Sequence, residues 1–216
     1  MSKTTPRVTP EDAARLHAWA PRTWQRMLSG RRLNLVDPSP LDIEISDIAL
    51  GLSRNTRWNG QTIGDHGWSV AQHSDFVVDI VRRMKPRAPA WLLMAAKLHD
   101  ASEYVTHDLI TPLKHVVGDV FKEVEDRIQC AVHLRFGLPQ RVDAETKALI
   151  KRADLAAAAT EAVQLAGFTP EEVTTVLGFR EKPQEVTLRP LSSREAERQF
   201  LDGFDYLAKK MLIEGK

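Results

Sequence analysis

Apolar residues recur every three or four positions through most of this chain, and the polar residues between them carry helix punctuation. In FKEVEDRIQCAVHLRFG, Phe121, Val124, Ile128 and Ala131 step along one face, and Gly137 stands where a helix ends on a left-handed residue. Thr9-Pro10 opens a helix expected at 9–20, and Thr169-Pro170-Glu171-Glu172 repeats that chemistry. Ser192 and Glu195 form a capping box before a last helix, 192–211. WSVAQHSDFVVDIVRRM is stopped by Pro86, and APAWLLMAAKLHD follows it, apolar nearly all round up to Leu98, so this segment is predicted to lie in the middle of the fold. DAETKALIKRADLAAAATEAVQLAG is a further helix whose small residues after Asp154 let neighbours approach closely. QEVTLRP is the one strand candidate and reads better as an extended loop, so the predicted class is all-α.

The length of 216 residues suits one domain over 1–216. Thirty Lys and Arg against 29 Asp and Glu leave a formal charge of +1, which gives no support for a surface built to coat polymeric nucleic acid or an anionic membrane. No apolar run approaches the roughly 20 residues that span a bilayer, and the start lacks a secretory signal, so a cytoplasmic protein is expected. Cys130, alone and on an apolar helix face, reads as a packed thiol.

One feature conflicts with the apolar pattern. His99 and Asp100 end the most buried helix, where an unpaired carboxylate is expensive. Taken alone, Asp100 as a cap and His99 as a donor to a backbone carbonyl suffice. His73 and Asp154, each inside another helix, shift the balance, and Glu103 lies four residues beyond His99, on its face if the helix continues. Two imidazoles and two carboxylates on three helices can surround one divalent cation, a set suited to Mn, Co, Fe or Ni and less naturally to Zn.

His73, then His99-Asp100, then Asp154 on successive helices resembles the HD superfamily of metal-dependent phosphohydrolases. Within it, HDASEYVTHDLITPLK is similar to the corresponding stretch of bacterial HD-type 5'-deoxynucleotidases, and Arg57-Trp58 matches an Arg-Trp pair upstream of their first metal histidine. SGRRLNLVDPSPLDIEISDIALGLS through SVAQHS also resembles a phage branch that includes a deoxyadenosine triphosphate triphosphohydrolase. The likeness runs from about Ser29 to Gly167, with an HD core at about 41–166 and the terminal helices as additions. His107 stands where the nucleotidases have glycine, and NGQTIGDHGWSVAQ differs from their equivalent segment.

The resemblance implies a helical bundle with His73, His99, Asp100 and Asp154 holding one divalent metal, Mg included. It implies Glu103 as the base that orients water, Asp108 as the acid for the departing sugar oxygen, Lys114 and Arg57 as phosphate-binding cations, and Trp58 packed on sugar or base. Four of these have a plainer reading beside them: Glu103 as a surface helix acid, Asp108 as a cap for the helix in LITPLK, Lys114 as a solvated lysine, Trp58 as a core aromatic. The expected activity is removal of the 5'-phosphate from a deoxyribonucleoside monophosphate. Triphosphate release from a dNTP, and a non-catalytic nucleotide-binding regulator, are the alternatives. A small-molecule nucleotide and, by resemblance only, a homodimer are the expected partners.

Overall fold

The computed structural model describes residues 22–215, so the helix expected at 9–20 lies outside the described residues. A short hairpin, β1 (Trp24–Arg26) with β2 (Arg32–Asn34), precedes α1 (Ile45–Arg54), α2 (Val70–Met84) and α3 (Ala90–Lys97). Two short helices follow, α4 (Glu103–Thr106) and α5 (Thr111–Val117), then α6 (Asp119–Arg135), α7 (Ala144–Gln164), α8 (Pro170–Thr175) and α9 (Ser193–Glu214). The class is all-α, with the antiparallel hairpin, Gln25 opposite Leu33, as a small addition the sequence pattern did not reveal. Strands of three residues are too short to show an alternation.

Helix starts follow the capping chemistry. The hydroxyl of Ser69 accepts from the Gln72 amide ahead of α2, Asp143 accepts from the Thr146 amide ahead of α7, and Thr169/Glu172 and Ser192/Glu195 form complete capping boxes. QEVTLRP forms no strand.

The nearly all-apolar segment does form a buried helix, but α3 stops at Lys97, two residues short of the His-Asp pair. Beyond it the backbone tightens to bonds spanning three residues, with Ala101 N–H to Leu98 and Glu103 N–H to Asp100. His99 and Asp100 therefore sit in a turn between α3 and α4. The His99 ring adds a side-chain bond to this end, donating from Nδ1 to the Ala96 carbonyl at 2.8 Å.

Helix α9 lies across α1, α2 and α3, and α7 packs along α2. Ile48, Leu52, Val77, Leu92, Phe200 and Leu207 fill the space between them, all fully or almost fully buried. Ala153, Ala156 and Ala157 of α7 are buried too, and their small side chains let α7 approach α2 closely. Gly51 does the same for α1 against α4: a Cβ there would lie 2.7 Å from the Tyr104 carbonyl oxygen. Lys97 carries a charge into this core: 1% exposed, it pairs with Asp75 and lies 4.0 Å from the centre of the Phe200 ring, so an ion pair and a cation–π contact offset its desolvation. No helix among the described residues is long and apolar enough to cross a membrane.

Between α4 and α5 the chain turns at His107, whose φ of 63° and ψ of 159° belong to a region that glycine adopts almost alone. Such a backbone costs about 1–3 kcal/mol in a residue with a Cβ, against about 0.4–1 kcal/mol of extra chain entropy that glycine brings to the unfolded state. His107→Gly is accordingly expected to stabilise the protein by about 1 kcal/mol, raising Tm by about 2–4 °C. A thermal melt of the two proteins checks it, and an unchanged or lower Tm refutes the strain.

Candidate metal centre

The site is assembled from α2, the turn after α3, and α7. His73 is completely buried in α2, and its Nδ1 lies 2.7 Å from Oε1 of Glu161, also completely buried. A carboxylate only accepts, so Nδ1 carries a proton and Nε2 is the nitrogen left to face the two aspartates. His99 reaches the same condition through its bond to Ala96: Nδ1 donates and Nε2 is left over. Both Nε2 atoms are buried and without a hydrogen-bond partner. The plain reading of His99, a donor to a backbone carbonyl, is correct for one nitrogen and is what frees the other.

These two nitrogens converge with the carboxylates of Asp100 and Asp154, so that one ligand atom from each of the four residues lies within 4.8 Å of the rest. His73 Nε2 is 3.2 Å from Asp154 Oδ1 and 3.6 Å from Asp100 Oδ2, and His99 Nε2 is 3.1 Å from Asp100 Oδ2. Burial opposes ionisation of both aspartates, yet the histidines hold their pKa values below the ordinary carboxylate range. Burial and the Arg57 charge press His73 toward neutrality, but Glu161 and Asp154 prevail and push its pKa up to about 10. The pocket thus demands positive charge at its centre. Paired lone-pair nitrogens facing two carboxylate oxygens fit a divalent cation of intermediate hardness.

Other residues singled out in the sequence surround the quartet. Arg57 comes from a 3-10 turn, Arg57–Gly60, in which Trp58 and Asn59 are both left-handed (φ 58° and 52°). Its Nε donates to Glu161 Oε2 at 2.8 Å, while Nη1 lies 3.5 Å from Asp108 and 3.9 Å from Asp100. The guanidinium is already shared among three acids, so the edge carrying Nε is not open to a phosphate. Trp58 donates from Nε1 to Glu161 at 3.2 Å, and its ring centre is 5.8 Å from that of Phe168. Asp108 faces Arg57 and makes no cap: α5 begins after Ile110 with no side-chain capping bond. Glu103 is buried at the start of α4, with Oε1 3.4 Å from Lys114 Nζ and Oε2 unpartnered. Burial, reinforced by Asp100 and Asp108, holds its pKa well above the usual value. Lys114 bridges Glu103 to Glu125 on α6, 3.6 Å away. A cavity of about 360 Å³ opens beside the quartet, lined by His99, Asp100 and Asp154 and, from α6 and α7, by Gln129, Ile150 and Lys151. Arg57, Trp58 and Lys114 are not among its lining residues.

Glu161 was missed in the sequence. It follows Asp154 by seven residues, two helical turns along the same face of α7, and this spacing from a ligand was the available signal.

Residues 50–168 match the family model described as 5'-deoxynucleotidase YfbR-like, and that span contains the whole quartet, Glu103, Asp108 and Glu161. The chain belongs to the YfbR-like family. An uncharacterized protein of Rhodobacter capsulatus is 51% identical to it over 173 residues, 80% of this chain and 87% of that protein. The uncharacterized protein YfdR of Escherichia coli is 30% identical over 168 residues, 78% of this chain and 86% of YfdR. The YfbR-like span begins within α1 and ends just after α7, so α9, which closes the core over α1, α2 and α3, lies outside it.

Proposed function

We propose that this YfbR-like chain is a metal-dependent nucleotide phosphohydrolase that removes the 5'-phosphate of a deoxyribonucleoside monophosphate. The observation that carries the reading is the convergence of His73 Nε2, His99 Nε2, Asp100 and Asp154, with both nitrogens buried and otherwise unpartnered. These four residues would hold one divalent cation. When bound, such a cation supplies Lewis acidity to a phosphoryl oxygen and lowers the pKa of water.

The remaining steps belong to the side chains around it. Glu103, with one free oxygen and a pKa raised by burial, takes the proton from the attacking water. Asp108, entering the step in its protonated form and held toward the centre by Arg57, gives that proton to the sugar 5'-oxygen as its bond to phosphorus breaks, and the proton taken up by Glu103 balances it. Lys114 and the outer edge of Arg57 offset the charge that spreads over the phosphoryl oxygens. Trp58, anchored by its indole N–H to Glu161, offers a ring for sugar or base.

One observation favours a second reading, release of triphosphate from a dNTP. The cavity beside the quartet is also lined by Arg141, Lys147 and Lys151, cations suited to further phosphates, although Arg141 is shared with Asp126 and Lys151 with Asp154. The same ester bond breaks in both reactions. A phosphate-release screen of deoxynucleoside mono- and triphosphates with Mn²⁺-loaded protein, with and without chelator, tests the proposal. Chelator-sensitive release from monophosphates is expected. Release of intact triphosphate from dNTPs alone moves the assignment to the second reading, and nucleotide binding without hydrolysis makes the chain a regulator.

A further inference from the structure

We infer that Glu161 is a positioning residue that ties the first metal histidine to Arg57 and sets the orientation of both. This rests on the metal-centre reading above and names a group outside the ligand set. Glu161 is completely buried, yet four N–H donors meet it. Its Oε1 receives His73 Nδ1 at 2.7 Å and Trp68 Nε1 at 2.8 Å. Its Oε2 receives Arg57 Nε at 2.8 Å and Trp58 Nε1 at 3.2 Å. Two carboxylate oxygens offer about four lone-pair sites, so the accepting capacity is full.

That saturation has two effects at the centre. The bond to Nδ1 excludes the neutral tautomer with its proton on Nε2, so Nε2 of His73 is the nitrogen offered to an ion between Asp100 and Asp154. The bond to Nε pins the inner edge of the guanidinium, which leaves Nη1 directed at Asp108 and Asp100. The two indoles fix the carboxylate itself, Trp68 from the segment before α2 and Trp58 from the left-handed turn. A carboxamide cannot replace it. Whichever way glutamine lay, its NH₂ would confront two N–H donors, so E161Q removes acceptance at one end while keeping volume.

The test uses Mn²⁺ as the probe on the full chain. E161Q is expected to raise the Kd for Mn²⁺ by about 10–100-fold, the range typical for loss of an outer partner of a metal histidine. E161D keeps the charge but is one methylene short of spanning His73 and Arg57, so its Kd should fall between the two and rise at least several-fold. In Zn²⁺-loaded protein, NMR should show the His73 Nδ1 proton far downfield in the wild type, as a short bond to a carboxylate requires, and moved upfield in E161Q, a readout that general loosening of the core does not produce. If E161Q fails to fold, E161D carries the test. A folded variant with wild-type Kd and a wild-type His73 signature overturns the inference alone, whereas a wild-type protein that binds no Mn²⁺ overturns the metal centre and the inference together.

Discussion

Replacing Glu103 with alanine is expected to lower turnover by about 10²–10⁴-fold while the metal content per chain stays at the wild-type value. Two observations separate Glu103 from the ligands. Its oxygens are not among the four atoms that converge within 4.8 Å, so removing them leaves the quartet whole. One of those oxygens is nevertheless buried with no partner, in a residue only 4% exposed, and a proton acceptor in that state has no structural bond to lose. Lys114 touches the other oxygen and would keep its second contact to Glu125 in the variant. Glu103→Gln preserves shape and should fall nearly as far as alanine, which separates proton transfer from packing. Phosphate release and metal analysis on the same sample check both. Retained activity in either variant would remove Glu103 from the mechanism.

Asp154→Ala should do the opposite and lose the ion. Asp154 supplies one of two carboxylates facing two imidazoles, and without it His73 Nε2 loses its 3.2 Å neighbour. A direct ligand is expected to matter more than the 10–100-fold typical of an outer partner, so Mn²⁺ affinity should drop by more than about 100-fold and activity with it. The charge of Lys151, 2.7 Å from Asp154 Oδ2, is then left facing the pocket and works in the same direction. Calorimetric titration with Mn²⁺ checks this. Full occupancy in the variant would show that the ligand set is wrongly drawn.

Much of the centre could be anticipated because its residues contradict their surroundings. His73 lies among apolar neighbours on α2, and the His-Asp pair ends the most apolar segment of the chain. Such placements carry a desolvation cost that periodicity alone exposes. Glu161 escaped for the converse reason: an acid near the end of an alanine-rich helix reads as solvated surface, and only the arrival of Trp58, Trp68 and Arg57 from distant segments buries it. The helix end at Lys97 was hidden because Leu98 is as apolar as the residues before it, and the ring of His99 bonds back to Ala96 just beyond that end. The hairpin was invisible at three residues per strand. Asp108 as a cap was a fair reading of local sequence, but α5 starts without it because Asp108 is engaged with Arg57, 51 residues away in the chain.

Asp154 and Glu161 ride on one continuous rod, and the alanines that set its distance from α2 carry no chemistry of their own. The gauge of the ion's berth is therefore cut by methyl groups: a bulkier side chain at Ala153 or Ala157 would push ligand and brace away from His73 in a single displacement, detuning the centre without touching any residue that faces it.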